Sequence, residues 1–252
     1  MLNDRRGVDE LADTLAANRL SRDTLEAMMA SAAGQAPLLK RYMTAKAKLI
    51  GKERLGWEDL AAPLVNPNSA QTWGQARAFI EEHFATYNDD LAVFARRAFD
   101  QRWIEAEDRS GKRQGGWCAS VPLTGESRIF MTFGETFRST VTLAHELGHA
   151  YHNWVLRDLA PSQRRITSTL AETASVFAES LVRDAALKSA DSRASRLAML
   201  DARLMAGTSF LMNIPARYAF ERALYPMRRQ GHFDPDVLTE TMLSCQKAAY
   251  QD

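Results

Sequence analysis

"TLAHELGHAYH", residues 142–152, carries three of the chain's five histidines within eight positions and sets a glutamate beside the first. At about 100° per residue on a helix, His145, His149 and His152 share a narrow sector, while Leu143, Leu147, Ala150 and Trp154 fall opposite. One face can therefore pack into a core while the other presents imidazoles. Side chains four apart on a helix are neighbours, close enough for the His145 and His149 rings to meet one ion at about 2.0 Å. Glu146 points about 100° away from that face, beside an ion instead of at it, where a general base for a metal-activated water belongs. A bare His-x-x-x-His pair is common on solvated helices. The full His-Glu-x-x-His pattern, backed by an apolar stripe, is more specific and predicts a zinc site on a packed helix over about 140–156. Gly148 lies inside that helix, where glycine costs about 1 kcal/mol relative to alanine and marks the close approach of another backbone.

A catalytic zinc takes three protein ligands and keeps a fourth position open for water. The elongated motif of the metzincins needs glycine at 152 and histidine at 155, and the chain has His152 and Val155. Two candidates for the third ligand remain, Cys118 in "GGWCAS" and Glu172 in "TLAETASVFAES". On a helix over 168–184, Glu172, Ser175, Val176, Glu179 and Arg183 form one stripe, opposite Leu170, Ala174, Phe177 and Leu181. Two antiparallel helices joined around Pro161 bring Glu172 across from the imidazole face, so Glu172 is the expected ligand. Three residues are candidates for the surroundings of the metal: His152, Ser175 and Glu179. Glu179 is placed to accept a proton from the far nitrogen of a ligand histidine; the alternative is a surface carboxylate paired with Arg183.

The rest of the chain reads as mainly α. Leu11, Leu15, Leu25, Met28 and Met29 recur at helical steps over residues 8 to about 55, with Ser21 and Asp23 as a restart signal. "PLLKRYMTAKAKLIGKERLG" predicts an amphipathic helix whose Lys and Arg side chains form a solvated face. Ser69 is a candidate N-cap for a helix through "QARAFIEEHF", and another helix is predicted at about 88–106. "GGWCASV" and "RIFMTF" are short β-prone runs bounded by turn residues, a small β-sheet just before the His-Glu-x-x-His helix. One domain over 1–252 is expected, with a helical part (1–106), a small β region (107–138) and a helical metal-binding part (139–252).

With 32 Lys and Arg against 31 Asp and Glu, a net charge of +1, the chain has no field to draw in nucleic acid or an anionic membrane surface. No apolar run approaches the roughly 20 residues that span a bilayer. The first ten residues are charged throughout and lack the apolar core of a secretory signal. Two cysteines are too few for a disulfide framework and fit a reducing compartment, so a cytoplasmic protein is expected.

The stretches "VTLAHELGHAYH" (141–152) and "LAETASVFAE" (170–179), with the latter's Glu-x-x-Ser-x-x-x-Glu spacing, resemble the thimet oligopeptidase and oligoendopeptidase F family of zinc peptidases. "GKRQGGWC" (111–118), "LIGKERLGWEDLAAPL" (49–64) and "NIPARYAFERALY" (213–225) extend the resemblance, which is nearest to oligoendopeptidase F. It implies a zincin-like helical catalytic domain holding one Zn2+ per chain through His145, His149 and Glu172, with Glu146 as the base. It also implies cleavage of oligopeptides by zinc-activated water. Family members are typically longer, and their C-terminal segment supplies a His and a Tyr for the oxyanion, so the chain resembles the catalytic part alone. Two alternatives follow: a non-catalytic zinc- or peptide-binding relative, or a subunit completed by a homo-oligomer or a partner chain. "RIFMTF" is a candidate to hold an extended peptide as an added strand, which makes Phe130, Met131 and Thr132 candidate substrate contacts. Gly115 and Gly116, whose backbone a substrate can approach closely, are candidates for a second one.

Overall fold

A computed structural model of the chain describes residues 7, 9–64, 70–231 and 234–251. These fall into two compact units, one built from the stretches 1–16, 20–66 and 192–252, the other from 17–19 and 67–191.

The second unit carries the histidine motif. Its first helix, α4 (Trp73–Ala85), starts at a reciprocal capping box between Thr72 and Gln75. The expected cap Ser69 lies outside the described residues. Asn88 caps α5 (Asp89–Asp100), its side chain accepting from the Asp90 and Leu91 N–H groups. Helix α6 (Phe137–Val155) begins where the Thr136 hydroxyl accepts from Ser139 N–H, and α7 spans Ser168–Ser189. The packed face of α6 is the predicted one: Leu143, Leu147 and Ala150 are fully buried. They meet Ile80, Phe84, Phe94, Trp103, Ile129 and Val182 in one core. Each large apolar side chain buried there contributes about 1.5–3 kcal/mol.

A three-stranded sheet underlies α6, with β1 (Ile104–Glu105), β2 (Gly116–Val121) and β3 (Glu126–Met131) in the order β1-β3-β2. Strand β1 occupies the end of the segment expected to be helical to about residue 106. The α5 helix stops at Asp100, and Arg102 takes a positive φ of 57°, which turns the chain into the sheet. In β3, Ser127, Ile129 and Met131 are buried on the α6 side.

Because β3 is the central strand, the expected peptide addition at "RIFMTF" has no open edge. Phe130 is paired with Glu105 on one side and Trp117 on the other. Met131 is buried. Thr132 donates its N–H to the Gly115 carbonyl (3.1 Å) and its hydroxyl to the Arg113 carbonyl (2.7 Å). Thr132 thus holds the preceding turn in place. The outer strands are β1 and β2, and the free edge of β2 begins at Gly116.

The first unit contains α1 (Glu10–Ala17), α2 (Arg22–Gly34), α3 (Ala36–Leu49), α8 (Arg193–Thr208), a π-helical turn (Ser209–Asn213), α9 (Ile214–Arg229) and α10 (Pro235–Tyr250). Ser21 caps α2 as its position suggested. The basic residues of α3 are not all solvated. Lys46 is buried, donating to the Leu60 carbonyl (3.1 Å) and pairing with Asp201 (3.3 Å), which also accepts from the Tyr42 hydroxyl (2.6 Å). A buried ammonium needs such partners, and they lie too far along the chain for helical periodicity to reveal them.

The spacing of α6 and α7 is set by Gly148. A β-carbon there would sit 2.7 Å from both the Ala174 carbonyl oxygen and the Ser175 Cα. Gly148→Ala is expected to lower the unfolding free energy by about 1–3 kcal/mol. By contrast Gly74→Ala, where the added carbon meets nothing within 4 Å, should leave it unchanged or raise it by up to about 1 kcal/mol. Denaturant titration of both variants checks this, and equal stability of the two contradicts the packing account.

Candidate metal centre

Helix α6 presents His145 and His149 from successive turns, and α7 presents Glu172 from its second turn. The two Nε2 atoms lie 3.1 Å apart, and Glu172 Oε2 lies 3.2 Å from that of His145 and 3.4 Å from that of His149. Four ligands of a tetrahedral zinc, at about 2.0–2.1 Å from the ion, stand about 3.3–3.4 Å from one another. The three donor atoms therefore have the spacing of one face of such a site, and the donor set suits zinc. Among the described residues this is the one group of three His, Cys, Asp or Glu side chains whose donor atoms converge.

The geometry chooses between the two candidates for the third position. Cys118, on β2, is free, lies within contact of Asn153 and Ser127, and stands outside the converging group. Burial pushes its thiol up to about 12, and the nearby Glu146 carboxylate works in the same direction.

The surroundings orient all three donors. A carboxylate only accepts, so the 2.7 Å contact between His145 Nδ1 and Glu179 Oε1 fixes the proton on Nδ1 and leaves Nε2 with its lone pair toward His149 and Glu172. Glu179 also accepts from Arg183 through its other oxygen, at 3.1 Å, so the two predicted alternatives for Glu179 coexist. Burial alone raises the Glu179 carboxyl, but the bonds from His145 and Arg183 outweigh it and hold the group below its ordinary value. The buried Ser175 hydroxyl donates to Glu172 Oε2 (2.8 Å) and turns that carboxylate toward the histidines. His149 bonds to the Ala171 carbonyl, a partner with no signature in sequence because any residue supplies it. His152, one turn beyond, stands outside the group, and its Nδ1 is buried without a hydrogen-bond partner.

Glu146 lies beside the group and not in it. It is 4% exposed, and its Oε2 is buried without a partner. Desolvation pushes its carboxyl up to about 7, against the pull of His145. A buried acceptor with no donor, next to converging metal-type ligands, fits a site completed by an ion and its water. Gly116 lies close by: a β-carbon there would stand 2.8 Å from Glu146 Oε1. Gly116 was expected to permit close approach of a substrate, and the approach observed is that of the β2 edge to the Glu146 carboxylate. Gly115, at φ 106°, takes a conformation that favours glycine and turns the chain into β2. The long-range contact between Gly116 and Glu146 leaves no periodic signal in the sequence.

The sequence model of Peptidase family M3 matches residues 75–252, well over half of the chain. Group B oligopeptidase PepB of Streptococcus agalactiae is 29% identical over 233 residues, which cover 91% of this chain and 38% of that protein. Oligopeptidase PepF of Bacillus subtilis is 25% identical over 221 residues, covering 86% of this chain and 32% of PepF. The chain thus spans between about a third and two-fifths of the length of these relatives. Among solved structures, PZ peptidase A with an inhibitor aligns at a TM-score of 0.74 and 17% identity, over 94% of this chain and 43% of that one. A Chlamydophila abortus crystal structure aligns at 0.77 and 20% identity, over 94% and 41%. At such identities these two likenesses establish the shared fold.

The raised Glu146 pKa has a consequence for the metal-free protein. Below the ordinary value of 4.5 the carboxyl is protonated whether the chain is folded or not, and its burial costs nothing. Between 4.5 and about 7 the unfolded chain gives up the proton first, and above 7 the full penalty applies. Glu146→Gln should therefore stabilise the chelator-treated protein at pH 8 by about 1–3 kcal/mol, a gain that shrinks toward zero as the pH falls to 4.5. A pH-independent difference in denaturation midpoints would contradict this.

Proposed function

The chain belongs to Peptidase family M3, and on that premise we propose that it is a zinc-dependent endopeptidase that hydrolyses oligopeptides. The observation that carries this reading is the juxtaposition of a converging His145, His149 and Glu172 donor set with the buried, unpartnered oxygen of Glu146. The relatives' names speak of oligopeptidases. Among the described residues no helix is long and apolar enough to cross a membrane. Two free thiols accord with a reducing compartment, and we place the protein in the cytoplasm.

In this proposal His145, His149 and Glu172 hold the ion. When bound, zinc acts as a Lewis acid that acidifies water and polarises the carbonyl under attack. The remaining work falls to the protein. Glu146 Oε2 accepts a proton from the attacking water and passes it to the leaving amine. Glu179 holds the His145 Nδ1 proton, with Arg183 bracing it, so Nε2 keeps its direction. Ser175 does the same for Glu172. The free edge of β2 offers main-chain hydrogen bonds to an extended peptide, and Gly116 lets that strand lie against the Glu146 carboxylate with no side chain between them.

Two measurements test the assignment. Glu146→Gln should retain one zinc per chain while cleavage of an internally quenched oligopeptide falls by about 10²–10⁴-fold or more. Cleavage at the wild-type rate would remove Glu146 from the chemistry. Glu179→Ala should weaken zinc binding by about 10–100-fold in a competition titration with a chromogenic chelator. An unchanged affinity would reduce Glu179 to a surface carboxylate.

A further inference from the structure

The turn that leads into β2 lines a cavity on the face of the sheet turned away from α6. Arg109, Lys112, Arg113, Gly116, Trp117 and Phe130 line this cavity of about 580 Å³. Trp117 and Phe130 are cross-strand partners on the sheet face opposite Ile129, Met131 and α6, so the cavity reaches the Glu146 side only at Gly116, and a peptide added along the β2 edge would send alternate side chains into it. Its floor is aromatic: the Trp117 and Phe130 rings stack with centroids 6.0 Å apart.

Two of its three cations are already committed. The Lys112 ammonium is 2% exposed, pairs with Glu105 at 2.8 Å and lies 4.4 Å from the centre of the Phe130 ring. Arg109 pairs with Glu105 at 2.7 Å and with Glu107 at 3.5 Å. Arg113 has no carboxylate partner among the described residues and lies exposed. Its backbone is not free to wander, because the Thr132 hydroxyl donates to the Arg113 carbonyl at 2.7 Å. Two flanking glycines at positive φ, Gly111 (81°) and Gly115 (106°), shape the turn. The result is a guanidinium held on a fixed backbone at the rim of an aromatic-floored cavity that reaches the β2 edge at Gly116.

We propose that this cavity is a specificity pocket that receives a carboxylate of the peptide substrate, with Arg113 as the group that recognises it. The inference rests on the peptidase reading. It deepens that reading by naming acidic peptides as the preferred substrates. An arginine fork matches a carboxylate in two parallel hydrogen bonds. The aromatic floor receives the methylene groups of the same residue. An acidic side chain and a C-terminal carboxylate offer the same chemistry, and the test separates them.

The zinc-loaded protein is given a set of quenched peptides that carry a single Glu or Gln at each position in turn, each made as a C-terminal acid and as an amide. At one position, or at the C-terminus, the acidic form should be cleaved with a kcat/KM about tenfold higher or more, the size of one charge-assisted hydrogen bond. A preference that follows the Glu position identifies the side chain, and one that follows acid against amide identifies the terminus. Arg113→Gln should erase the preference while leaving cleavage of the neutral peptides intact, and Arg113→Glu should transfer it to the matching Lys peptide. A preference that survives both substitutions, or no preference at any position, overturns the assignment. Binding of the same Glu and Gln peptides to zinc-loaded Glu146→Gln, followed by fluorescence anisotropy, separates the two claims. A preference in binding without any wild-type cleavage would sink the peptidase reading and leave the carboxylate pocket standing.

Discussion

A hydrogen atom at position 148, where any other residue would place a carbon 2.7 Å from the Ala174 carbonyl, sets how closely α6 and α7 approach. The rest of the site follows from that spacing. It brings Glu172 Oε2 to 3.2 Å and 3.4 Å from the two histidine nitrogens, and Glu179 to 2.7 Å from the far side of the first ring. A helix pair held one methyl group further apart would still bury Leu143, Leu147 and Val182. It would not bring three ligands to the spacing of one ion. Packing and metal chemistry thus make the same demand of one residue, which explains a glycine inside a helix where its intrinsic propensity is poor.

A second constraint works against stability. Glu146 is driven into a nearly dry position between α6 and the β2 edge, and its carboxyl is pushed up to about 7. Ion pairing relieves such burial elsewhere in the chain, as Lys46 and Asp201 do. Here no donor is supplied, and Oε2 stays unpartnered. An unsatisfied buried acceptor costs free energy, and a protein keeps one where chemistry needs a base that is neither fully ionised nor hydrated away. The glycine at 116 belongs to the same arrangement, since a β-carbon there would fall 2.8 Å from that carboxylate.

How much of this was legible in the sequence depends on the range of each interaction. The periodicity of 140–156 and 168–184 marked both helices and put His145, His149 and Glu172 on stripes that meet. On 168–184, however, the packed residues are Ser175, Ala178, Val182 and Ala186, while Leu170 and Phe177 of the expected apolar side are exposed. Gly148 was legible for the same reason, as an exception to helix propensity. Strand β1 was not, because two residues carry no alternation and their pairing with Ile129 and Phe130 is set by the sheet. Without β1, β3 looks like an edge strand, and Phe130, Met131 and Thr132 were therefore named as substrate contacts beside Gly115 and Gly116. Lys46 was hidden by its distance in sequence from Asp201. The capping box at Thr72 and Gln75, by contrast, is a local pattern that was there to be read.

The central claim is that one ion is held by two histidines of α6 and one glutamate of α7. Anomalous diffraction at the zinc edge, from crystals of the protein grown with zinc, tests it most directly. The account predicts one strong peak per chain, within bonding distance of His145 Nε2, His149 Nε2 and Glu172. A peak bound to Cys118, or none at this position, would contradict it.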